Sequence, residues 1–208
     1  TNREGGPSAL AAALVGKTPN YGVHRAENRR ASVLIKVGSR LTNETEFGAL
    51  GIHVGKLLKD KIPVFEGFSN PTREDLKQLG AGMASSGMTS MFHFGELRER
   101  SGLETVSVEA KDVRNAVEGL STIHETPDLV FIGCPHCSLN EVRKVARAVE
   151  GKKVRNGTEL WVCTSQHVKG KAEKYVNIIE AAGGHVLCDT CAVVTWIKDL
   201  GIDVMMTN

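Results

Sequence analysis

Aromatic residues are scarce in this sequence, with Phe, Tyr and Trp together making up 5% of 208 residues. Proteins that hold single-stranded nucleic acid stack its bases on aromatic faces, so that class of function is disfavoured from the outset. An excess of one charge is also lacking. Lys and Arg number 26 against 24 Asp and Glu, for a net +2, and the basic residues are spread along the chain. Nucleic acid is therefore not expected as a partner. No apolar run approaches the roughly 18 residues that a membrane span requires, and no membrane association is expected. No secretory signal peptide is visible. The cysteines number five, an odd count in an otherwise ordinary composition, which speaks against a secreted disulfide scaffold. The thiols are read as reduced and the compartment as cytoplasmic.

What is present suffices for a sizeable core: 41% apolar and 24% charged residues, at a length that suits one large α/β domain or two small ones. The chain opens at Thr1 without Met. Its last residues, "VMMTN", end an apolar β-type run close to the terminus, as a piece of a longer protein would.

No internal repeat or low-complexity segment stands out. The first 30 residues, rich in Gly, Asn and Arg, read as loop and short helix. "ASVLIKV" (31–37) and "IPVFEG" (62–67) have the composition of strands. Residues 44–60 read as a helix with close-packed glycines at Gly51 and Gly55. "TREDLKQLGAGMASSG" (72–87) reads as a second helix, with Thr72 and Asp75 as its N-terminal cap pair.

The second half is more regular. "DLVFIG" (128–133) is a continuous apolar run of strand length. "SLNEVRKVARAVEG" follows, where Ser138 and Glu141 have capping-box spacing and Val142, Val145 and Val149 form one apolar face. "ELWVC" (159–163), a helix over about 166–182, "HVLC" (185–188), a short helix over about 191–199 and "IDVMMT" (202–207) complete a β-α-β-α-β-α-β series. Such a series implies parallel strands with right-handed crossovers. Residues 1–125 form an N-terminal α/β region in this reading, and 126–208 a βα-repeat region cut off after Asn208. "GCPHCS" (133–138), "CTSQH" (163–167), "CDTC" (188–191) and "TN" (207–208) all fall at the carboxyl ends of strands, the edge where open α/β sheets bind ligands.

The two Cys-x-x-Cys pairs admit several readings. Their 50-residue separation departs from the 15–20 residues typical of ribbon-type zinc sites, although four thiolates could hold structural zinc. "CPHC" ahead of a helix start could serve as a thiol redox pair, with Cys134 activated by the helix dipole. Thiolates on neighbouring strand ends could instead carry an iron–sulfur cluster. Cys163, and in part Cys188, read as small buried hydrophobes.

Five segments carry a family resemblance: "NREGGPSALAAALVGKTPNYGVHRAENR" (2–29), "GALGIHVGK" (48–56), "LGAGMASSGMTSMFH" (79–93), "GCPHCS" and "DTCAVV" (189–194). Together, and in this order, they resemble the aconitase X family over essentially the whole chain, its archaeal branch more than its bacterial one. The resemblance implies an aconitase-like three-layer α/β/α fold with mostly parallel sheets. It also implies a hydro-lyase with an iron–sulfur cluster, of the 4Fe–4S type. The archaeal substrate would be a phosphorylated hydroxy acid, (R)-5-phosphomevalonate, dehydrated to trans-anhydromevalonate 5-phosphate in a modified mevalonate pathway of isoprenoid synthesis. The bacterial branch dehydrates cis-3-hydroxy-L-proline instead. The family's pattern continues after "TN" with a Ser-Gly-Lys-Cys stretch, and a small swivelling subunit contributes to its active site. The chain alone is therefore expected to be inactive.

Under this resemblance Cys134 and Cys191 are the expected cluster ligands, with Cys137 as the alternative to Cys134 and a third ligand beyond Asn208. His136 could orient substrate or transfer a proton to the departing hydroxyl, or be a capped turn residue without chemistry. Arg3 could clamp a carboxylate or phosphate with Glu4 holding it, or the two could form a surface ion pair. His24, Glu27, Asn28 and Arg29 form a second polar cluster with the same ambiguity. Ser85, Ser86 and Gly87, at a predicted helix end, could hold an anionic group, or Gly87 could simply cap the helix ahead of a strand. His53 and His93 are read as packing histidines.

Overall fold

The computed structural model describes residues 6–68, 70–95, 102–120 and 125–207. The chain divides into two compact units, Thr1–Ser121 and Thr122–Asn208. Among the described residues no helix is long and apolar enough to cross a membrane.

The first unit opens on α1 (Pro7–Val15), of which no residue is buried, and two 3-10 turns, Gly22–His24 and Ala26–Arg29. The expected loop and short helix are therefore present. There follow β1 (Val33–Val37), α2 (Glu44–Leu58), β2 (Pro63–Glu66), α3 (Arg73–Ser86), β3 (His93–Phe94), β4 (Glu104–Val108) and α4 (Ala110–Glu118). The strands pair in parallel in the order β3-β2-β1-β4. Alternation along β1 sends Val33, Ile35 and Val37 into a core shared with Phe47, Leu50 and Leu79.

The helices α2 and α3 approach through glycine. A Cβ on Gly51 would lie 2.3 Å from the Leu79 carbonyl oxygen, and one on Gly82 would lie 2.5 Å from that of Gly48. Any side chain there would push the backbones apart. Asn43 caps α2, and the predicted Thr72–Asp75 capping box starts α3. His93 does more than pack, since its Nε2 donates to the Arg29 carbonyl at 2.6 Å. This bond ties the second 3-10 turn to the edge strand. His53 is half-buried on α2.

The second unit runs β5 (Leu129–Cys137), α5 (Leu139–Val149), β6 (Glu159–Thr164), α6 (Gln166–Lys171), α7 (Glu173–Ala181), β7 (His185–Cys188) and β8 (Met205–Thr207). Its strands are again parallel, in the order β7-β6-β5-β8. Alternate residues of β5 serve two cores. Val130 and Ile132 pack with Val142, Ala146 and Ile179 of α5 and α7. Leu129 and Phe131 pack on the other face with Ala192 and Ile202. A parallel strand covered on both sides reads as an unbroken apolar run, which is why "DLVFIG" was legible.

Three expectations change. The strand does not stop at Gly133 but continues through Cys137, with an irregular register against β6 between Ile132 and Cys137. The single helix over 166–182 is two, interrupted where Ala172 turns into the core at 1% exposure. The short helix over 191–199 is a series of turns and a 3-10 helix at Ile197–Leu200. There the Cys191 carbonyl accepts from the Thr195 hydroxyl at 3.0 Å, beside the N–H groups of Val194 and Thr195.

Both sheets place their first strand between the second and the fourth. The chain leaves that strand in one direction and returns on its other side, so each sheet has a switch point, the place at the carboxyl ends where open α/β sheets bind ligands. In the second unit that point is the end of β5, which carries "GCPHC".

Candidate functional site

Gly133 decides how β5 ends. It has φ 140°, and a Cβ there would meet the Cys163 carbonyl oxygen at 2.6 Å. Only glycine fits both the conformation and the space. The Cys134–Pro135 peptide that follows is cis. Two cysteines three residues apart then meet different surroundings. Cys134 is exposed. Cys137 is buried at 4% exposure among Val142, Leu160 and Val162, with its Sγ 3.8 Å from the Ile132 carbonyl. The fully buried Thr164 hydroxyl donates to the Cys137 carbonyl at 2.6 Å, which satisfies both groups and joins β6 to the end of β5.

His136 lies between them, half-buried, with Nε2 2.7 Å from the Thr190 carbonyl. A carbonyl can only accept, so Nε2 carries the proton and the neutral ring has its lone pair on Nδ1. This bond draws the "GCPHC" segment and the loop after β7 together. That loop turns at Asp189, with φ 54°, whose N–H donates to the Thr164 carbonyl at 3.0 Å. The half-buried Cys191 then opens a turn in which its carbonyl accepts from the N–H groups of Val194 and Thr195.

Cys163 is fully buried, and its pKa is pushed up to about 11, first by burial and then by the neighbouring Cys191 and Cys188 thiols. Three cysteines thus lie within electrostatic reach at the ends of β6 and β7. The reading of Cys163 as a buried hydrophobe agrees with this environment.

The structure brings Cys134, His136 and Cys191 to one edge of the second unit. It does not assemble the four thiols of the two Cys-x-x-Cys pairs, because Cys137 faces the core. Among the described residues no three His, Cys, Asp or Glu side chains form a metal-holding group. A four-cysteine zinc module therefore has no support. The exposed Cys134 and the half-buried Cys188 and Cys191 are the thiols that the cores leave accessible in part or in full.

The remaining expected site residues belong to the first unit. Arg3 and Glu4 lie outside the described residues. His24, Asn28 and Arg29 hold their own loop: His24 Nδ1 is 3.2 Å from the Thr18 hydroxyl, Asn28 Nδ2 donates to the Gly22 carbonyl at 2.9 Å, and Arg29 Nε donates to the Val23 carbonyl at 2.6 Å. The Arg29 fork keeps its two terminal nitrogens for other acceptors. Ser85 and Ser86 sit in the last turn of α3, and both hydroxyls donate back to the Gly82 carbonyl, at 3.1 and 2.7 Å. A helix C-terminus carries partial negative charge, so this end does not favour an anion. Sequence reasoning missed Thr164 and Thr190, whose contacts are made across the sheet. Only the place of Thr190 inside the "DTC" motif hinted at a role.

Residues 31–118 match the aconitase X second domain and residues 127–208 match the aconitase X third domain. The chain belongs to the aconitase X family. It is 45% identical to the phosphomevalonate dehydratase large subunit of Methanocaldococcus jannaschii, over 100% of this chain and 55% of that protein. It is 30% identical to a cis-3-hydroxy-L-proline dehydratase of Pseudomonas aeruginosa, over 92% of this chain and 36% of that protein. The crystal structure of aconitase X from Thermococcus kodakaraensis, in its holo-form, superposes with a TM-score of 0.88 at 39% identity, over 100% of this chain and 56% of that one. The parallel α/β architecture is that of aconitase X, as expected. The chain spans about half the length of the phosphomevalonate dehydratase relatives it matches.

Proposed function

We propose that this chain is part of the large subunit of a hydro-lyase that dehydrates (R)-5-phosphomevalonate to trans-anhydromevalonate 5-phosphate, in a modified mevalonate pathway in the cytoplasm. The observation that carries the reading is the 45% identity to a phosphomevalonate dehydratase large subunit along the entire chain. The word "large" in that name implies a smaller partner subunit, and we assign the same need to this protein.

Cys134 and Cys191 would supply two thiolates to an iron–sulfur cluster of the 4Fe–4S type. Cys134 is preferred to Cys137 because it is exposed and Cys137 is not. A third ligand would come from the remainder of the complete protein. When bound, such a cluster supplies a Lewis acid for the substrate hydroxyl. His136 is held by Thr190, so its Nδ1 edge has a fixed direction. A ring held in this way is a candidate to transfer a proton to the departing hydroxyl or to orient the substrate. Arg29, with part of its fork still available, and Arg3 are candidates for the substrate's carboxylate and phosphate.

The test is turnover by the complete large subunit with its small subunit, supplied separately with (R)-5-phosphomevalonate and cis-3-hydroxy-L-proline. Water loss from the first and none from the second is the expected result. Activity only on hydroxyproline would replace this substrate with that of the 30%-identical relative. Activity on neither would overturn the assignment. Changing His136→Gln should reduce kcat more than it raises KM, since the proposed role belongs to the bond-breaking step.

A further inference from the structure

The first unit contains a second candidate site, to which none of the expected cluster or substrate residues contributes. At the carboxyl ends of β1 and β4, the switch point of that sheet, a groove of about 600 Å3 opens between the first turn of α2 and one face of α4. Its volume is in the range of small-molecule sites. Leu41, Val113 and Val117 give it an apolar wall, while Ser39, Arg40 and Arg114 add polar groups.

Three features favour an anion. The amino-terminal ends of α2 and α4 both border the groove, through Asn43 and Ala110, and helix N-termini carry partial positive charge. Arg40 and Arg114 are exposed, and no ion pair among the described residues engages either. Two of the nearby carboxylates are already engaged. Glu46 Oε2 accepts from the N–H and the hydroxyl of Thr42, at 2.6 and 3.0 Å. Glu109 is occupied in the capping box of α4, whereas Glu118, one turn beyond Arg114 on the same groove wall, competes with a bound anion for that guanidinium. Finally, the Ser39 Oγ is buried without a hydrogen-bond partner, the one such side-chain atom among the described residues. An unmade buried hydrogen bond is a standing cost. Ser39 also lines the groove, and an acceptor bound beside it would relieve that cost.

We propose that this groove binds a small organic anion: a carboxylate or phosphate held by Ser39, Arg40 and Arg114, attached to a short apolar chain that lies against Leu41, Val113 and Val117. Titration calorimetry of the 208-residue chain with n-butyl phosphate, butyrate, inorganic phosphate and n-butanol tests it. Saturable binding of n-butyl phosphate or butyrate is expected, and the stronger of the two identifies the head group. Arg40→Gln and Arg114→Gln should each weaken that binding about tenfold, the usual loss for one charge-assisted hydrogen bond. Both side chains are exposed, so far-UV circular dichroism should show both variants folded. The proposal is overturned if neither organic anion binds saturably or if the Arg40→Gln/Arg114→Gln double variant binds as the parent does. It is equally overturned if inorganic phosphate or butanol binds as tightly as n-butyl phosphate, since the site would then not read both halves of the ligand.

Discussion

Cys134, Cys137 and Cys163 show how much a thiol's chemistry depends on a few ångströms of backbone. Cys134 is exposed, Cys137 and Cys163 are buried, and Cys163 is raised to about 11 from an ordinary 9.0. At neutral pH a rise of that size makes the Cys163 thiolate about a hundredfold scarcer, apart from its lack of access. Iodoacetamide should therefore label Cys134 first in the folded, metal-free chain and leave Cys163 unlabelled until denaturation. Peptide mass spectrometry over time checks the order, and early labelling of Cys163 would contradict it. The sequence marked the motif, but it could not say which cysteine faces outward. That choice follows from Gly133 and the register change after Ile132, neither of which has a periodic signature.

Asp128 is a second residue whose neighbours alter its chemistry. Its Oδ2 accepts from the N–H groups of Val204 and Asp203, at 2.9 and 3.0 Å, and these bonds hold its pKa below the usual 3.8. A lowered folded pKa means that its contribution to stability is complete above pH 3.8 and is lost as pH falls through the lower, folded value. The stability difference between the parent and Asp128→Asn should accordingly be constant from about pH 5 to 7 and shrink at lower pH. Urea denaturation across that range measures it.

At the scale of elements, the local signals read well. The Thr72–Asp75 and Ser138–Glu141 boxes start their helices as their spacing predicts. The glycines of 44–60 mark a helix contact too close for a side chain. Gly51→Ala should destabilise the protein by about 1–3 kcal/mol through overpacking against Leu79. Gly170 is the control. It is exposed in α6, and a methyl group added there would meet open space, so Gly170→Ala should be neutral or stabilise by up to about 1 kcal/mol. Thermal melting of the two variants separates the effects. Helix interruption was not legible. Ala172 is an excellent helix former, yet it leaves the helical conformation, with φ −104° and ψ 10°, and its methyl group joins the core with Val176 and Ile179. Between residues 191 and 199 the chain forms turns and a 3-10 helix where the spacing suggested one short helix.

At the scale of the whole molecule, the two units share one strand order although no repeat is visible in the sequence. Strand order is set by pairings between distant segments, and a parallel sheet asks of each strand only that it be short, apolar and β-branched. Many sequences meet that demand, so a shared topology leaves no common motif. The order nevertheless has a functional consequence. It places the switch point of the second sheet at the end of β5, where the most distinctive motif lies, and that of the first at the end of β1, where Ser39 lines the groove.

The central claim is that Cys134 and Cys191 hold a cluster while Cys137 packs the core. The most direct test is anaerobic determination of iron, acid-labile sulfide and zinc in the complete large subunit with its small subunit. The parent would be compared with Cys134→Ser, Cys191→Ser and Cys137→Ala. The account predicts iron with matching sulfide in the parent and in Cys137→Ala, and loss of both from Cys134→Ser and Cys191→Ser. Stoichiometric zinc without sulfide, or iron retained when Cys134 and Cys191 are both replaced, would contradict it.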